Sequence, residues 1–143
     1  MTSICFEYDQ RQWHRDMWLY LVTAFEVQGY ERGRPEIMDS MNNFGVLKIQ
    51  NAYDLPLEPR LVIITPKNSK YLPGEVNLYK YVHPQNAIYY FGSDRSNLGP
   101  EMFEGLEYEL VYIPQNNMEV NELWTHQAGA ITLYDIEAKK WQM

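Results

Sequence analysis

The segment Gly92-Ser93-Asp94-Arg95-Ser96-Asn97-Leu98-Gly99-Pro100-Glu101 directly follows the apolar run Ala87–Phe91 (AIYYF). Its residue types suit a ligand-holding turn. Gly92 permits backbone conformations that other residues resist, and it leaves room for a ligand to approach the main chain. Ser93 and Asp94 can cap the next turn or contact a ligand. An ordinary strand-to-helix turn uses the same residues. The segment lacks both the Gly-Lys-Ser/Thr of a P-loop and the GxGxxG of a dinucleotide fold.

Other chemistry finds little support. His14, His83 and His126 show neither HxxxH nor HExxH spacing, so no metal motif is present. No GxSxG occurs, which excludes the α/β-hydrolase pattern. Cys5 is the single cysteine, so an internal disulfide framework and a cysteine zinc site are excluded.

The elements that must position this segment follow from apolar patterning. Trp18–Phe25 (WLYLVTAF) is nearly continuous in apolar residues and predicts a first strand covered on both faces. Residues 1–17 read as an irregular N-terminal arm or a short helix. Pro35 suits the first turn of a helix over Glu36–Asn43. Val46–Ile49, Leu61–Thr65, Ala87–Phe91 and Tyr108–Ile113 predict four further strands, and Val76–Val82 reads as helical or irregular. Val120, Leu123, Trp124, Gln127, Ala128, Ile131 and Tyr134 recur at helical spacing and predict one apolar stripe on a last helix. Asn116 and Glu119 resemble a capping box at its start. Lys139 and Lys140 favour its end, where the helix dipole attracts cations.

Strands alternating with helices predict an α/β domain with a mostly parallel sheet flanked by helices. The length, 143 residues, fits a single domain. Ligands in such sheets sit beyond the carboxyl ends of strands, at a switch point. That directs attention to Thr65-Pro66, Phe91-Gly92 and Ile113-Pro114.

With the elements in order, the Gly92 segment resembles the second motif of the SpoU branch of the SPOUT RNA methyltransferases, a strand followed by GSEGxGLSxE. Gly92, Ser93, Leu98, Pro100 and Glu101 fit the motif, and Asp94 replaces its acidic Glu. The C-terminal stretch is similar to the third motif, with Ile113-Pro114, then Leu123, then Ala128-Gly129-Ala130-Ile131 and Leu133-Tyr134-Asp135. Asn43-Phe44-Gly45-Val46 resembles the end of the first motif, where a helix turns into the second strand. The resemblance spans Trp18 to Asp135.

The resemblance implies a deep trefoil knot, with residues 87–138 forming the knot and the cofactor pocket. It implies a homodimer, S-adenosylmethionine as cofactor, and methylation of a ribose 2′-hydroxyl in tRNA or rRNA. Backbone groups at Phe91, Gly92, Ser93, Ile113 and Leu123 are then expected to hold the cofactor. Thr65, at the exit of the third predicted strand, joins them on position alone.

The chain departs from the family at the catalytic positions. The first motif, Asn-x-Gly-x-x-x-Arg, supplies an arginine. Anchored on Asn43-Phe44-Gly45, its Arg position falls on Asp39. Arg32 and Arg34 lie upstream as substitutes or as solvated loop charges. The Ser-Leu-Asn of the third motif becomes Glu122-Leu123-Trp124. Arg34 and Asp94 therefore stand as the catalytic candidates. Trp124 reads as part of the helix stripe, as a wall of the cofactor slot, or as a base-stacking residue. Two readings follow: an active RNA methyltransferase with a divergent catalytic set, or a SPOUT-like binding or structural homodimer that still holds the cofactor or has lost it.

The charge balance narrows the choice of partner. Twelve Lys+Arg against 19 Asp+Glu give a net charge of −7, which excludes RNA binding by bulk positive charge. Binding then requires Arg11, Arg15, Arg32, Arg34 and Arg95 to gather on one side. No apolar run approaches the ~20 residues of a membrane helix. No signal-peptide pattern is present and cysteine is scarce, so a cytoplasmic setting is expected.

Overall fold

Seven strands, all of them parallel, form one sheet in the order β3-β2-β1-β6-β4-β7-β5. They are β1 (Thr2–Glu7), β2 (Gln28–Arg32), β3 (Leu47–Ile49), β4 (Arg60–Ile64), β5 (Val76–Asn77), β6 (Ala87–Phe91) and β7 (Tyr108–Tyr112). Among the described residues two helices, α1 (Gln12–Phe25) and α2 (Thr125–Trp141), lie on one face. The computed structural model describes residues 1–33, 44–92, 98–116 and 123–142.

The order is set by two late strands. β6 pairs with both β1 and β4, and β7 pairs with both β4 and β5. Each therefore fills a gap between strands made earlier in the chain. β6 is buried at every position, which explains its unbroken apolar sequence.

Side-chain alternation divides the core in two. Ile4, Phe6, Val62, Ile64, Tyr89, Phe91 and Val111 face the helices. They meet Trp18, Leu19 and Val22 of α1 and Leu133 and Ile136 of α2. Trp18 stacks on Phe6 with ring centroids 4.8 Å apart and planes 4° from parallel. On the other face, Cys5, Ile63, Ile88 and Tyr90 pack against Leu72, Leu98 and Phe103 of the connecting loops. Short 3-10 turns at Ala52–Asp54 and Pro100–Phe103 help close that side.

Several sequence expectations need correction. Trp18–Phe25 is the second half of α1, not a strand. Its burial follows helical spacing, with Trp18, Leu19 and Val22 inward and Tyr20 63% exposed. Residues 1–17 are not an arm: they hold β1 and the start of α1. The stripe on the last helix is turned around. Gly129, Thr132, Leu133 and Ile136 are buried, while Trp124, Ile131 and Tyr134 are exposed. That helix begins at Thr125, where the Trp124 N–H donates to Gln127 Oε1 at 2.9 Å. The expected capping box at Asn116 and Glu119 and the expected helix over Glu36–Asn43 involve positions outside the described residues. The strands at Val46–Ile49, Leu61–Thr65, Ala87–Phe91 and Tyr108–Ile113 are present within a residue or two. Within Val76–Val82 lie β5 and a 3-10 turn, Leu78–Lys80.

Candidate functional site

Register places three strand exits side by side. Ile64 is level with Phe91 of β6 and with Val111 of β7. One residue further on, the chain leaves the sheet at Thr65 and Gly92, with Tyr112 and Ile113 alongside. Phe91 is 1% exposed and turns its ring into the core, 5.2 Å from Trp18. Its backbone, not its side chain, is what it offers at the exit.

Gly92 leaves room for the Leu98 side chain at the strand end. A β-carbon there would lie 3.0 Å from Leu98 Cγ. Leu98 is buried, and Ile113 and Leu123 are half-buried. Leu98 and Ile113, apolar groups beside adjacent main-chain exits, suit a flat heterocycle recognised by backbone groups. Thr65 has a local task as well: its hydroxyl donates to the Leu72 carbonyl at 2.8 Å, and its N–H to the Val111 carbonyl at 3.0 Å. Both bonds fix the loop that follows β4.

Charged groups gather beside this row, where β1 and β2 end. On the helix side, Arg15 grips Glu31 through two hydrogen bonds of 2.8 and 3.0 Å. Their side chains are 5% and 0% exposed. The Arg15 guanidinium also lies over the Tyr8 ring at 5.2 Å. On the opposite side, Arg32 grips Glu7 at 2.6 and 2.9 Å. Burial pushes the Glu7 carboxyl above its ordinary range, against the pull of Arg32 and Tyr90. In the turn between β1 and α1, Arg11 binds both oxygens of Asp9, which holds that carboxyl well below the usual range. β1 is also where chain progression reverses across the sheet, the switch point at which open α/β sheets bind ligands.

The starts of α1 and α2 meet at the same edge. Trp13 and Trp124 have ring centroids 5.1 Å apart, with planes at 54°. They are 42% and 48% exposed. His14 and His126 lie beneath them, 4.9 Å apart. The Arg11 guanidinium lies over Trp13 at 5.5 Å.

Thr65, Phe91, Gly92 and Ile113 are thus brought to one edge, and Leu123 opens the helix that reaches it. Ser93, Asp94 and Arg34 lie outside the described residues. Sequence reasoning missed Glu7, Glu31 and the Trp13/Trp124 pair. The first-motif anchor at Asn43-Phe44-Gly45 involves positions outside the described residues. The helix that precedes the second strand is α1, and the same spacing falls there on Asp9, Arg11 and Arg15, of which Arg15 alone matches the motif in residue type. A correct placement of β1 was the signal needed.

No protein-family model and no curated protein sequence matches the chain. Solved structures do. One, concerned with the 2-OH methylation of C/U34 on tRNA, is 14% identical with a TM-score of 0.74, covering 100% of this chain and 98% of that one. The SpoU methyltransferase AviRb from Streptomyces viridochromogenes, in complex with AdoMet, is 12% identical with a TM-score of 0.77, over 99% of this chain and 61% of that chain. An AdoMet-bound rRNA methyltransferase from Sinorhizobium meliloti is 14% identical with a TM-score of 0.73, over 96% and 56%. The chain thus spans nearly the whole of the first and under two thirds of the other two. Across its full length it has the α/β fold of the SpoU/TrmH RNA methyltransferases.

Proposed function

We propose that this chain is an S-adenosylmethionine-dependent RNA ribose 2′-O-methyltransferase that works as a homodimer in the cytoplasm. The observation that carries the reading is the row of strand exits at Thr65, Gly92 and Ile113, next to the arginine pairs at the end of β1. The relatives' AdoMet complexes and their RNA-modifying roles support the same assignment.

The cofactor would sit against the backbone at Phe91, Gly92, Ser93, Ile113 and Leu123, with Leu98 and Ile113 as apolar walls. When bound it supplies a methyl group that is already electrophilic. The protein's task is to hold the ribose hydroxyl in line and to help its proton leave. Arg15 takes the place of the first motif's arginine, a role that Arg34 held on sequence alone. Glu31 fixes its guanidinium, which suits it to orienting a phosphate or a developing oxyanion. Asp94 is the candidate proton acceptor.

The late insertion of β6 and β7 between earlier strands is compatible with a trefoil knot across residues 87–138. The second copy would dock on the outer face of the two helices. Tyr20, Ile131 and Tyr134 are exposed there by 63%, 40% and 60%. Among the described residues, no helix is long and apolar enough to cross a membrane.

Titration calorimetry with S-adenosylmethionine tests the pocket. Binding by the wild type and its loss in Gly92→Trp are expected; no heat from the wild type would defeat the reading. Transfer of labelled methyl to RNA then separates the enzyme from a second reading, a cofactor-holding dimer without catalysis. That alternative draws on Glu122-Leu123-Trp124, where the family has Ser-Leu-Asn.

A further inference from the structure

We propose that Trp13 and Trp124 form a stacking platform for one unstacked nucleobase of the RNA, next to the ribose that is methylated. The inference rests on the RNA reading above and names the contact that gives the RNA its grip.

The argument starts from charge. A body of net charge −7 offers RNA no bulk electrostatic attraction. The arginines at this edge do not change that, because Arg11, Arg15 and Arg32 are each matched by a carboxylate of the chain. Stacking on bases is a source of grip that this charge balance leaves open. Single-stranded RNA offers splayed bases, and aromatic side chains take them at about 1–3 kcal/mol each.

The Trp13/Trp124 pair has the properties required. The two indoles are large, adjacent and nearly half exposed. At 5.1 Å they are too close to admit a ring between them, so a base stacks on the outside of the pair. Histidines 14 and 126 brace them from below, so the rings are not free to swing away. Arg11 lies over Trp13, adding a planar cation of the kind that stacks on bases. Location supplies the last element. Trp124 directly follows Leu123, and Trp13 lies two residues before Arg15. Both tryptophans stand at helix starts on the edge where the strand exits open, so the platform lies beside the proposed site, while Arg15 occupies another face of α1.

The test measures binding of a short fluorescein-labelled single-stranded RNA of mixed sequence by anisotropy. Wild type is compared with Trp13→Ala, Trp124→Ala, Trp124→Phe and the exposed control Trp141→Ala. Each alanine variant at the platform should weaken binding by about 5- to 150-fold, the equivalent of one stacked base. Trp124→Phe should retain most of the affinity, and Trp141→Ala all of it. Cofactor affinity, thermal melting and molecular mass in solution should stay unchanged. A shallow salt dependence, as for about one or two phosphates, should accompany wild-type binding. Unchanged RNA affinity in both alanine variants overturns the platform and leaves the methyltransferase reading intact. A change in oligomeric mass assigns the pair to the second copy instead and overturns it too. Failure of the wild type to bind RNA removes both.

Discussion

The ring of Trp18 occupies the space where a β-carbon of residue 129 would be: that carbon would lie 2.5 Å from Trp18 Cζ3 and 2.7 Å from Cη2. This contact locks α1 to α2. Trp18 cannot retreat, because its other side is stacked on Phe6. In an open helix, Gly→Ala stabilises by roughly 0.5–1 kcal/mol. Here the sign should reverse. Gly129→Ala is expected to destabilise by about 1–3 kcal/mol, as overpacked cores do. Urea denaturation checks it, and a gain in stability would refute the close packing.

Arg15 and Glu31 make a buried pair whose members depend on each other. Glu31→Ala removes the carboxylate that faces the buried guanidinium and should cost about 3–5 kcal/mol. Replacing both, as Arg15→Met with Glu31→Leu, should recover much of that loss in the same denaturation assay. If Arg15 also orients the substrate, the double variant will be folded, will bind cofactor and will not transfer methyl. Recovery of stability together with activity would take Arg15 out of the mechanism.

His83 links three parts of the fold. One ring nitrogen bonds the Tyr89 hydroxyl and the other Asp135, both at 2.6 Å, and Tyr81 packs edge-on against the ring. Burial lowers its pKa; Lys139 and Lys140 add to the effect and Asp135 opposes it. The unfolded chain takes up this proton at about 6.5, before the folded one does. The stability tied to His83 is therefore complete above that pH and is lost as pH falls through the lower folded value. Melting temperatures of the wild type should drop from pH 7 to pH 5. His83→Gln should lose this part of the slope, and an identical slope would contradict the assignment.

The exposed face of Tyr20, Ile131 and Tyr134 predicts self-association. Ile131→Glu combined with Tyr134→Glu should halve the mass measured by light scattering. The thermal melt should broaden or shift downward, because a partner that binds only the folded state stabilises it. A wild type that is monomeric at high concentration would end the dimer proposal.

What could be read from the sequence followed burial on both faces. β4 and β6 are apolar runs because helices cover one side and loops the other, while β7, with Val111 alone fully buried, stands out through its tyrosines and leucine. β2 (QGYER) was hidden by Glu31 and Arg32, charged residues that sit in a strand because each has a partner elsewhere. α1 was mistaken for a strand because its exposed side carries Tyr20, which made the stretch look apolar throughout. The last helix misled in the same way, showing Ile131 and Tyr134 outward and Gly129 and Thr132 inward. Periodicity counts apolar residues and cannot tell a core face from one awaiting a partner. The strand-exit row at Gly92 and Ile113 was legible. The ion pairs beside it were not, since β1 and β2 had to be placed first.

The position of β6 also governs the order in which the molecule can be assembled. The chain completes β1 by Glu7, yet one edge of that strand has no neighbour until Ala87–Tyr90 has been made. β4 likewise has no neighbour on either side until β6 and then β7 have been made. β6, at the middle of the sheet, and then β7, one strand in from the edge, are thus the last strands to be inserted during synthesis. Nascent chains released before residue 91 would carry a bare β1 edge, the kind of surface that recruits other strands. Refolding of the whole chain should accordingly be slow and limited by distant pairings, while its helices form early.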